Sequence, residues 1–323
     1  MKKYLAILIT VILIASLCAT CACDNGEELT LYVPDGAPAL SVAKIINDGK
    51  VGNCTVTTNV VDAKNVRAKC VSGEADMAVL PTNLAVTVCS QRSDYQIFSV
   101  NVYGVLYIVG REHVDSIAEL QGKTLYSIGW QNTPEYVFKH ICDKLNVNYV
   151  DENSTDVDGK INIIYKDDAK QIIPMIKQGL VDFALIGEPA VTQLKNNVSG
   201  VETLFDLQQL WQEVTDSHEV GYPQASLIVK KDLLTDGFAT QLLLALQANY
   251  QFATTHLSQL NAIMQGAGSD LDLNYTVDLL ERCNLRAIPA SSAINDLNIY
   301  LEKFADLANL LPLSSDIIYE AKH

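Results

Sequence analysis

Short apolar segments typical of strands alternate with segments of helical periodicity along this chain, and this alternation limits the fold most strongly. Strands are expected at residues 29–33, 55–61 and 76–80, and each is followed by turn residues and an apolar helix pattern. Two parallel strands need a long crossover between them, which a helix usually supplies. The sequence therefore predicts an α/β fold with mostly parallel sheets.

The apolar run 97–109 is too long for an ordinary strand of about 5–6 residues, and Tyr103 and Gly104 interrupt it. A strand that crosses between two lobes explains both features. Two successive core strands with a bulge at Gly104 are the alternative. The strand expected at 226–230 would return the chain to the first lobe. The predicted division is lobe one at 29–104 and 223–323, with lobe two at 105–222.

The first residues have the composition of an export signal. Lys2 and Lys3 precede the apolar run 4–17, and small residues lead to Ala22 and Cys23. This run is shorter than the roughly 20 residues that a membrane-spanning helix requires. A signal peptide is therefore predicted at 1–22, with Cys23 as the lipid-carrying residue of a bacterial lipoprotein and 23–28 as a tether. A secreted protein without lipid is the alternative. Either prediction places the mature chain outside the cytoplasm; lipidation would anchor it to the cell membrane.

The charge of the mature chain excludes several classes of partner. The whole chain has a net charge of −15, and loss of Lys2 and Lys3 with the leader makes it −17. Such a charge repels nucleic acid and anionic lipid headgroups. It still permits an anionic ligand, because backbone amides in a cleft can hold one. The remaining 301 residues favour two domains over one core.

The sequence contains no recognisable catalytic or metal-binding motif. The five histidines form no HExxH pattern, and GxSxG, P-loop and GxGxxG patterns do not occur. Five cysteines remain after the leader and Cys23, and none of them has CxxC spacing. We expect buried free thiols, although one disulfide involving Cys54 is compatible with the pattern. No catalytic residue, metal site or cofactor is predicted.

Candidate ligand contacts follow the predicted strands. In open α/β sheets, ligands lie beyond the carboxyl ends of the strands, and helix starts there offer unpaired N–H groups. The alternative for each polar residue is ordinary helix capping. The residues at these turns and at the two crossings are Asp35, Gly36, Ala37, Pro38, Leu80, Thr82, Asn83, Tyr103, Trp130, Asn132, Thr133, Glu188, Tyr222 and Gln224.

Several of these side chains have an expected role. Trp130 could stack on a ligand ring or pack between lobes. Asp35 could pair with a ligand amine. Tyr103 and Tyr222 could place hydroxyl groups in the cleft or pack between the crossing strands. No Lys or Arg occurs at these turns, so a neutral, zwitterionic or heteroaromatic solute is at least as compatible with the sequence as a dianion.

At these turns the sequence resembles a family of solute receptors. It is similar to the type II periplasmic-binding-protein-like lipoproteins that serve importers of sulfonate, taurine, nitrate and thiamine precursors. The matching segments are 35–39, 73–84, 120–124, 179–189, 222–224 and 282–285. They extend over nearly the whole mature chain. Each is weak alone, and their order and spacing together carry the resemblance.

The resemblance implies a two-lobed type II periplasmic-binding-protein fold with a hinge of crossing strands. It implies a monomeric receptor of an ABC importer that closes on a small organic or oxyanion solute and delivers it to permease subunits. It implies a structural Glu188, since Glu-Pro is common there in the family. Two alternatives stay open: an enzyme of thiamine or menaquinone biosynthesis on the same fold, and a ligand sensor for a kinase.

Overall fold

The computed structural model describes residues 26–151, 158–167, 169–304 and 307–320. The predicted signal peptide 1–22 and the lipidation site Cys23 lie outside the described residues. Within the described ranges, no helix is long and apolar enough to cross a membrane.

The strands form two separate sheets. In chain order they are β1 (Glu28–Val33), β2 (Lys50–Val51), β3 (Cys54–Val60), β4 (Met77–Pro81), β5 (Tyr95–Val102), β6 (Leu106–Gly110), β7 (Thr124–Ile128), β8 (Tyr149–Asp151), β9 (Ile161–Lys166), β10 (Phe183–Gly187), β11 (Glu202–Asp206), β12 (Ala225–Lys230) and β13 (Leu285–Pro289). The first lobe is built on a seven-stranded sheet of order β13–β5–β12–β4–β1–β3–β2. The second lobe is built on a six-stranded sheet of order β11–β6–β10–β7–β9–β8.

Helices connect these strands. In chain order they are α1 (Ala37–Leu40), α2 (Ala43–Asp48), α3 (Ala63–Ser72), α4 (Thr82–Gln91), α5 (Thr133–Leu145), α6 (Ala169–Lys177), α7 (Ala190–Asn197), α8 (Leu207–Val214), α9 (Asp236–Gln247), α10 (Asn249–Thr255), α11 (Leu260–Gly266), α12 (Val277–Arg282) and α13 (Ile294–Leu301). Local chemistry explains several helix starts. The side chains of Asp62, Asn132 and Asp206 accept backbone N–H bonds at the starts of α3, α5 and α8.

The chain passes from one sheet to the other at residues 103–105, between β5 and β6. The predicted crossing is therefore confirmed. The alternative, two successive strands of one core with a bulge at Gly104, does not form. The return passage lies between α8 and β12. The expectation of mostly parallel sheets holds for the second sheet, which has three parallel and two antiparallel pairings, but it is wrong for the first, which has two parallel and four antiparallel pairings. β12 runs antiparallel to both β4 and β5, and β6 runs antiparallel to β10, because each crossing strand enters its sheet from the other lobe.

Both crossings join the carboxyl edges of the sheets. In the first sheet β1, β3, β4 and β5 share one direction, and β12 begins beside the carboxyl ends of β4 and β5. In the second sheet β7 and β10 are parallel, and β6 begins beside the end of β10, where Leu106 pairs with Gly187. The carboxyl ends of the two parallel sets therefore face each other across the space between the lobes.

One apolar core is continuous between the lobes. Tyr103, Trp211, Tyr222 and Tyr300 lie fully buried in the same cluster, which reaches from β4 in the first lobe to β7 in the second. The opposite faces of the two sheets have separate cores. The lobes are therefore packed together along one side of the crossing segments.

The C-terminal helix is shorter than the sequence pattern indicates. The amphipathic pattern at 291–310 predicts one helix, but α13 ends at Leu301 and a short 3-10 turn, Ala308–Leu310, follows. The chain turns back after α13 and Leu313 N donates to Asn298 Oδ1 at 3.0 Å. Burial of Phe304 and Leu307 in the shared core favours this turn over a straight helix.

Candidate functional site

The turn after β1 brings the first lobe against the second. A methyl group on Gly36 would lie 3.4 Å from Pro189 Cδ. Asp35 Oδ1 accepts bonds from Gly36 N at 2.8 Å and from Ser269 Oγ at 2.6 Å, and its Oδ2 accepts from Asp270 N at 3.1 Å. Ala37 and the partly buried Pro38 begin α1 directly behind this turn. The Asp35 carboxylate therefore already has several partners within its own lobe.

The turn between β4 and α4 carries a second group of predicted residues. Leu80 and Thr82 are fully buried. Thr82 Oγ1 lies 2.8 Å from Ser226 Oγ, and Thr82 N donates to Gln224 O at 3.0 Å. Asn83 differs from them, because its Oδ1 is buried and has no hydrogen-bond partner. An unsatisfied buried acceptor calls for a physical explanation, and a bound ligand is one.

Two more unpartnered polar groups lie at the end of β5. Asn101 Nδ2 and the Tyr103 hydroxyl are buried without hydrogen-bond partners, and both residues are fully buried. Ala225 pairs with Pro81 on one side and with Val102 on the other. The ends of β4 and β5 are therefore two strand spacings apart, about 10 Å. Asn83, Asn101 and Tyr103 thus mark one edge of the first sheet.

Asn101 is a residue that sequence reasoning missed. It lies inside an apolar strand pattern, and only its polarity at a core position could have drawn attention to it. Its Oδ1 accepts a bond from Ser99 Oγ at 2.6 Å, which directs its amide nitrogen.

Burial and neighbouring acids keep the Tyr103 hydroxyl protonated. Burial raises the pKa of Tyr103 well above its usual value, and the carboxylates of Asp296 and Glu219 raise it further against the opposing effect of Arg286. Asp296 is itself buried and its Oδ1 accepts His218 N at 2.9 Å. The field around the Tyr103 hydroxyl is therefore dominated by negative charge.

Two glutamines hold the first crossing segment. Gln224 Oε1 accepts Val105 N at 2.9 Å. Gln208 Oε1 accepts Leu106 N at 2.8 Å and the hydroxyl of Tyr222 at 3.1 Å. The sequence predicts Gln224 and Tyr222 as ligand contacts. In this structure both side chains instead bond to groups at the hinge. Gln208, on α8, was missed, and no local sequence signal distinguishes it from an exposed helix residue.

The start of α5 lies on the facing edge of the second lobe. Asn132 Oδ1 accepts Thr133 N at 2.9 Å, and Thr133 Oγ1 lies 2.7 Å from the hydroxyl of Tyr300 on α13. Thr133 therefore links the lobes. Trp130 is 63% exposed, and its ring centroid is 6.5 Å from that of Tyr165. An exposed indole in this turn is free to cover a ligand.

Glu135 fixes the turn that carries Trp130. Its carboxylate accepts the backbone N–H of Gln131, and Lys139 Nζ lies 2.6 Å from its other oxygen. Lys139 also contacts Asp151 at 2.9 Å. Burial lowers the pKa of Lys139, but these two carboxylates outweigh it and raise the pKa overall.

An ion pair joins the lobes beside the Gly36 contact. Arg282 Nε donates to Glu188 Oε1 at 2.6 Å, and Arg282 Nη2 donates to Thr192 Oγ1 at 2.9 Å. Arg282 belongs to α12 in the first lobe, whereas Glu188 and Thr192 belong to the turn and helix after β10. Burial lowers the pKa of Arg282, but the hydrogen bonds that it donates to Glu188 and Asp278 raise it overall. The resemblance included Arg282 in a matching segment, but the sequence did not identify its partner.

The cysteine side chains lack the environment of reactive thiols. Cys70, Cys89, Cys142 and Cys283 are buried and free. Burial raises the pKa of Cys70 and of Cys142 to about 12, so both carry thiols rather than thiolates at neutral pH. Among the residues that the structure describes, no three His, Cys, Asp or Glu side chains form a metal-binding group.

The fold is shared with components of ABC transporters. An ABC transporter protein from Parabacteroides distasonis is 19% identical, with a TM-score of 0.75 over 92% of this chain and 100% of that one. The aliphatic sulphonate binding protein SsuA of Escherichia coli is 12% identical, with a TM-score of 0.64 over 92% and 93%. A zinc-bound ligand-binding component of an ABC-type import system from Staphylococcus aureus is 11% identical, with a TM-score of 0.56 over 92% and 99%.

Comparison of the sequence alone identifies neither a family nor a curated relative. No family model matches the chain, and no curated protein matches it. The chain therefore has the two-lobed α/β fold of the type II periplasmic binding proteins, the fold of these ABC transporter components.

Proposed function

We propose that the protein is the extracytoplasmic solute-binding receptor of an ABC importer, which closes its lobes on a small solute and delivers it to the permease. The observation that carries this proposal is the placement of the two carboxyl edges. They face each other across two crossing segments, and three unpartnered buried polar groups lie at one edge. Ligand closure between lobes is the established use of such a hinge.

The proposed ligand contacts are the predicted turn residues together with Asn101. Asn83 Oδ1 requires a hydrogen-bond donor, Asn101 Nδ2 requires an acceptor, and the Tyr103 hydroxyl can serve as either. A ligand at this edge would satisfy all three. Asp35, Gly36, Glu188, Thr133 and the exposed Trp130 lie on the turns around it.

A thermal-shift screen tests the receptor function. Purified protein is unfolded and refolded to remove any ligand, and its melting temperature is measured with sulfonates, nitrate, pyrimidines, amino acids and polyamines. A ligand at 100 times its dissociation constant stabilises the folded state by about 2.7 kcal/mol. We expect one chemical class to raise the melting temperature. If the protein converted a stabilising compound chemically, this would contradict a receptor function without enzymatic activity.

The Tyr103 hydroxyl gives a residue-specific test of the site. Tyr103→Phe removes a buried hydroxyl that has no partner, so it should leave the ligand-free stability unchanged or raise it slightly. The same change should weaken ligand binding about fivefold, since one hydrogen bond contributes about 1 kcal/mol. Isothermal titration calorimetry and urea unfolding measure the two effects.

Tyr95→Phe is the matched control, because the Tyr95 hydroxyl donates to Ala75 O in the core of the first lobe. It should lower stability and leave affinity unchanged. Equal affinities of wild type and Tyr103→Phe would remove Tyr103 from the proposed site.

The lipid anchor is part of the same proposal. Signal peptidase cleavage after Ala22 would leave Cys23 as the lipid-modified first residue, with 23–28 as a tether. The proposed lobe boundaries, 29–104 and 223–323 against 105–222, are supported by the changes of sheet at 103–105 and before Ala225. Mass spectrometry of membrane-extracted protein should detect a diacylglyceryl Cys23. Release of the wild-type protein into the medium would contradict anchoring.

A further inference from the structure

We infer that the cleft between the lobes takes an uncharged or cationic hydrogen-bonding solute and rejects oxyanions. This inference rests on the proposed receptor function and deepens it. It follows from the occupancy of the turns, since at each of four turns a backbone N–H group already binds an oxygen atom of the chain itself and no Lys or Arg lies at those turns.

The start of α7 is occupied by Glu188. Its Oε2 accepts Thr192 N at 3.0 Å and its Oε1 accepts Thr192 Oγ1 at 3.0 Å. A carboxylate at a helix N-terminus is stabilised by the unpaired N–H groups and the helix dipole. Glu188 is therefore an internal anion in the position that a bound oxyanion would take, and a second negative charge there would be repelled.

The start of α5 is occupied in the same way. Asn132 Oδ1 accepts Thr133 N, and the Glu135 carboxylate accepts Gln131 N. Glu135 is buried and lies in the first turn of this thirteen-residue helix. An added oxyanion would have to displace two side chains and would then lie against a buried carboxylate.

Each of two turns of the first lobe uses one backbone donor internally, and no side-chain cap occupies the start of α4. Asp35 Oδ1 accepts Gly36 N, and Gln224 O accepts Thr82 N. The buried Asp296 carboxylate adds negative charge near Tyr103, against the opposing positive charge of Arg286. A negatively charged solute would therefore meet repulsion from this side as well.

Two cations beside the cleft, Arg282 and Lys139, are already paired. Arg282 contacts both Glu188 and Asp278, and Lys139 contacts both Glu135 and Asp151. Within the described turns 34–40, 81–84, 128–135 and 186–190, no Lys or Arg occurs. An oxyanion would therefore find no Lys or Arg on these turns to balance its charge. The unpartnered groups Asn83 Oδ1, Asn101 Nδ2 and Tyr103 Oη suit an uncharged ligand that offers both donors and acceptors.

Matched pairs of probes test this inference on the wild-type protein. The pairs are acetate and acetamide, methanesulfonate and methanesulfonamide, and nicotinate and nicotinamide, each measured by melting temperature at constant ionic strength. We expect an uncharged member to raise the melting temperature and its anionic partner to leave it unchanged. A larger shift with the anionic member overturns the inference but keeps the receptor function. No shift with any probe of this set or of the wider screen contradicts the receptor function itself.

Removal of the internal anion gives a second test. Glu188→Ala empties the start of α7 and frees Arg282 from one carboxylate, so methanesulfonate and nitrate should bind about tenfold more tightly than to wild type. Glu112→Ala is the control, since it removes the same charge from an exposed pair with Lys123. If Glu188→Ala does not fold, Glu188→Gln keeps the side-chain shape and removes the charge. Equal oxyanion affinity in the Glu188 and Glu112 variants overturns the inference.

Discussion

Individual residues at the crossings are constrained by backbone contact. Gly221 has a φ of +103°, and a methyl group there would lie 2.3 Å from Tyr103 O. Gly104 has a φ of +76°, and a methyl group there would lie 2.7 Å from Gln208 Cγ. Both glycines lie where the two crossing segments pass each other. A side chain at either position would clash with the neighbouring atoms. The close approach of the two segments therefore depends on these two positions.

Gly221→Ala should destabilise the protein by about 3 kcal/mol, because a positive φ alone costs about 1–2 kcal/mol and the methyl group would also meet backbone. Gly179→Ala is the control: Gly179 has a φ of +73°, but no heavy atom lies within 4 Å of the added methyl group. The Gly179→Ala variant should lose only about 1 kcal/mol of unfolding free energy. Urea unfolding measures both. Equal losses in the two variants would show that the crossing contact contributes nothing.

The buried part of the His140 side chain makes the stability of the folded protein depend on pH. Burial, aided by Lys303 and Lys144 and opposed by Asp143, lowers the pKa of His140 from 6.5 to about 4. Its Nε2 has no partner, and its ring lies 5.2 Å from that of Trp211. The unfolded chain takes up this proton at higher pH than the folded chain. The stability that neutral His140 contributes is therefore present above pH 6.5 and is lost as the pH falls towards 4.

His140→Phe should lose less stability than wild type between pH 7 and pH 4.5, because the variant has no such proton to take up. Urea unfolding at both pH values measures this difference. His113→Gln is the control, since His113 is exposed and hydrogen bonding to Asp115 raises its pKa. An identical loss in His140→Phe and wild type would exclude a contribution from His140.

At the scale of elements, α12 and α13 each connect the lobes through one side chain. Arg282 ends α12 and reaches Glu188, whose side chain is fully buried. Tyr300 lies on α13 and reaches Thr133 at the start of α5. The C-terminal part of the chain therefore ties the first lobe to both helix starts of the second.

Arg282→Met should destabilise the protein by about 3 kcal/mol, since it leaves the Glu188 carboxylate buried without its counter-charge. Lys44→Met is the control. It breaks the Lys44–Asp48 pair, in which both side chains are 29% exposed, and should cost less than about 1 kcal/mol. Thermal and urea unfolding compare the two. A loss in Arg282→Met no larger than in Lys44→Met would assign the pair no energetic role.

At the scale of the whole molecule, two polar contacts hold the lobes together in addition to the shared apolar core. The Arg282–Glu188 pair joins α12 to the turn before α7, and Thr133 bonds to Tyr300, which lies in the shared core. Opening of the cleft must break these contacts. The balance between open and closed forms therefore depends on a few named bonds.

The double variant Arg282→Met/Tyr300→Phe should have a larger radius of gyration than wild type without ligand, because two of the polar links between the lobes are lost. Small-angle X-ray scattering measures this, and unchanged far-UV circular dichroism controls for unfolding. A saturating ligand should return the variant to the compact dimensions. Identical scattering of the variant and wild type without ligand would contradict a closed state held by these bonds.

The sequence by itself determined the α/β class, the crossing near Tyr103 and the turns on which we propose the site. These features are encoded locally, in strand and helix periodicity and in turn residues such as Asp35 and Asn132. It overestimated parallel pairing and the length of α13, since pairing direction and the chain reversal after Leu301 depend on packing against distant segments.

Only the tertiary structure decided which groups at the site are available. Glu188 and Arg282 are 94 positions apart in the chain, and Thr133 and Tyr300 are 167 apart. No periodicity connects such residues, because each contact depends on how the sheets and the C-terminal helices pack. The internal bonds of the turns are mostly local, such as Gly36 N to Asp35 and Thr192 N to Glu188, whereas the bond of Thr82 N to Gln224 O and the Arg282 contact with Glu188 exist only through long-range packing.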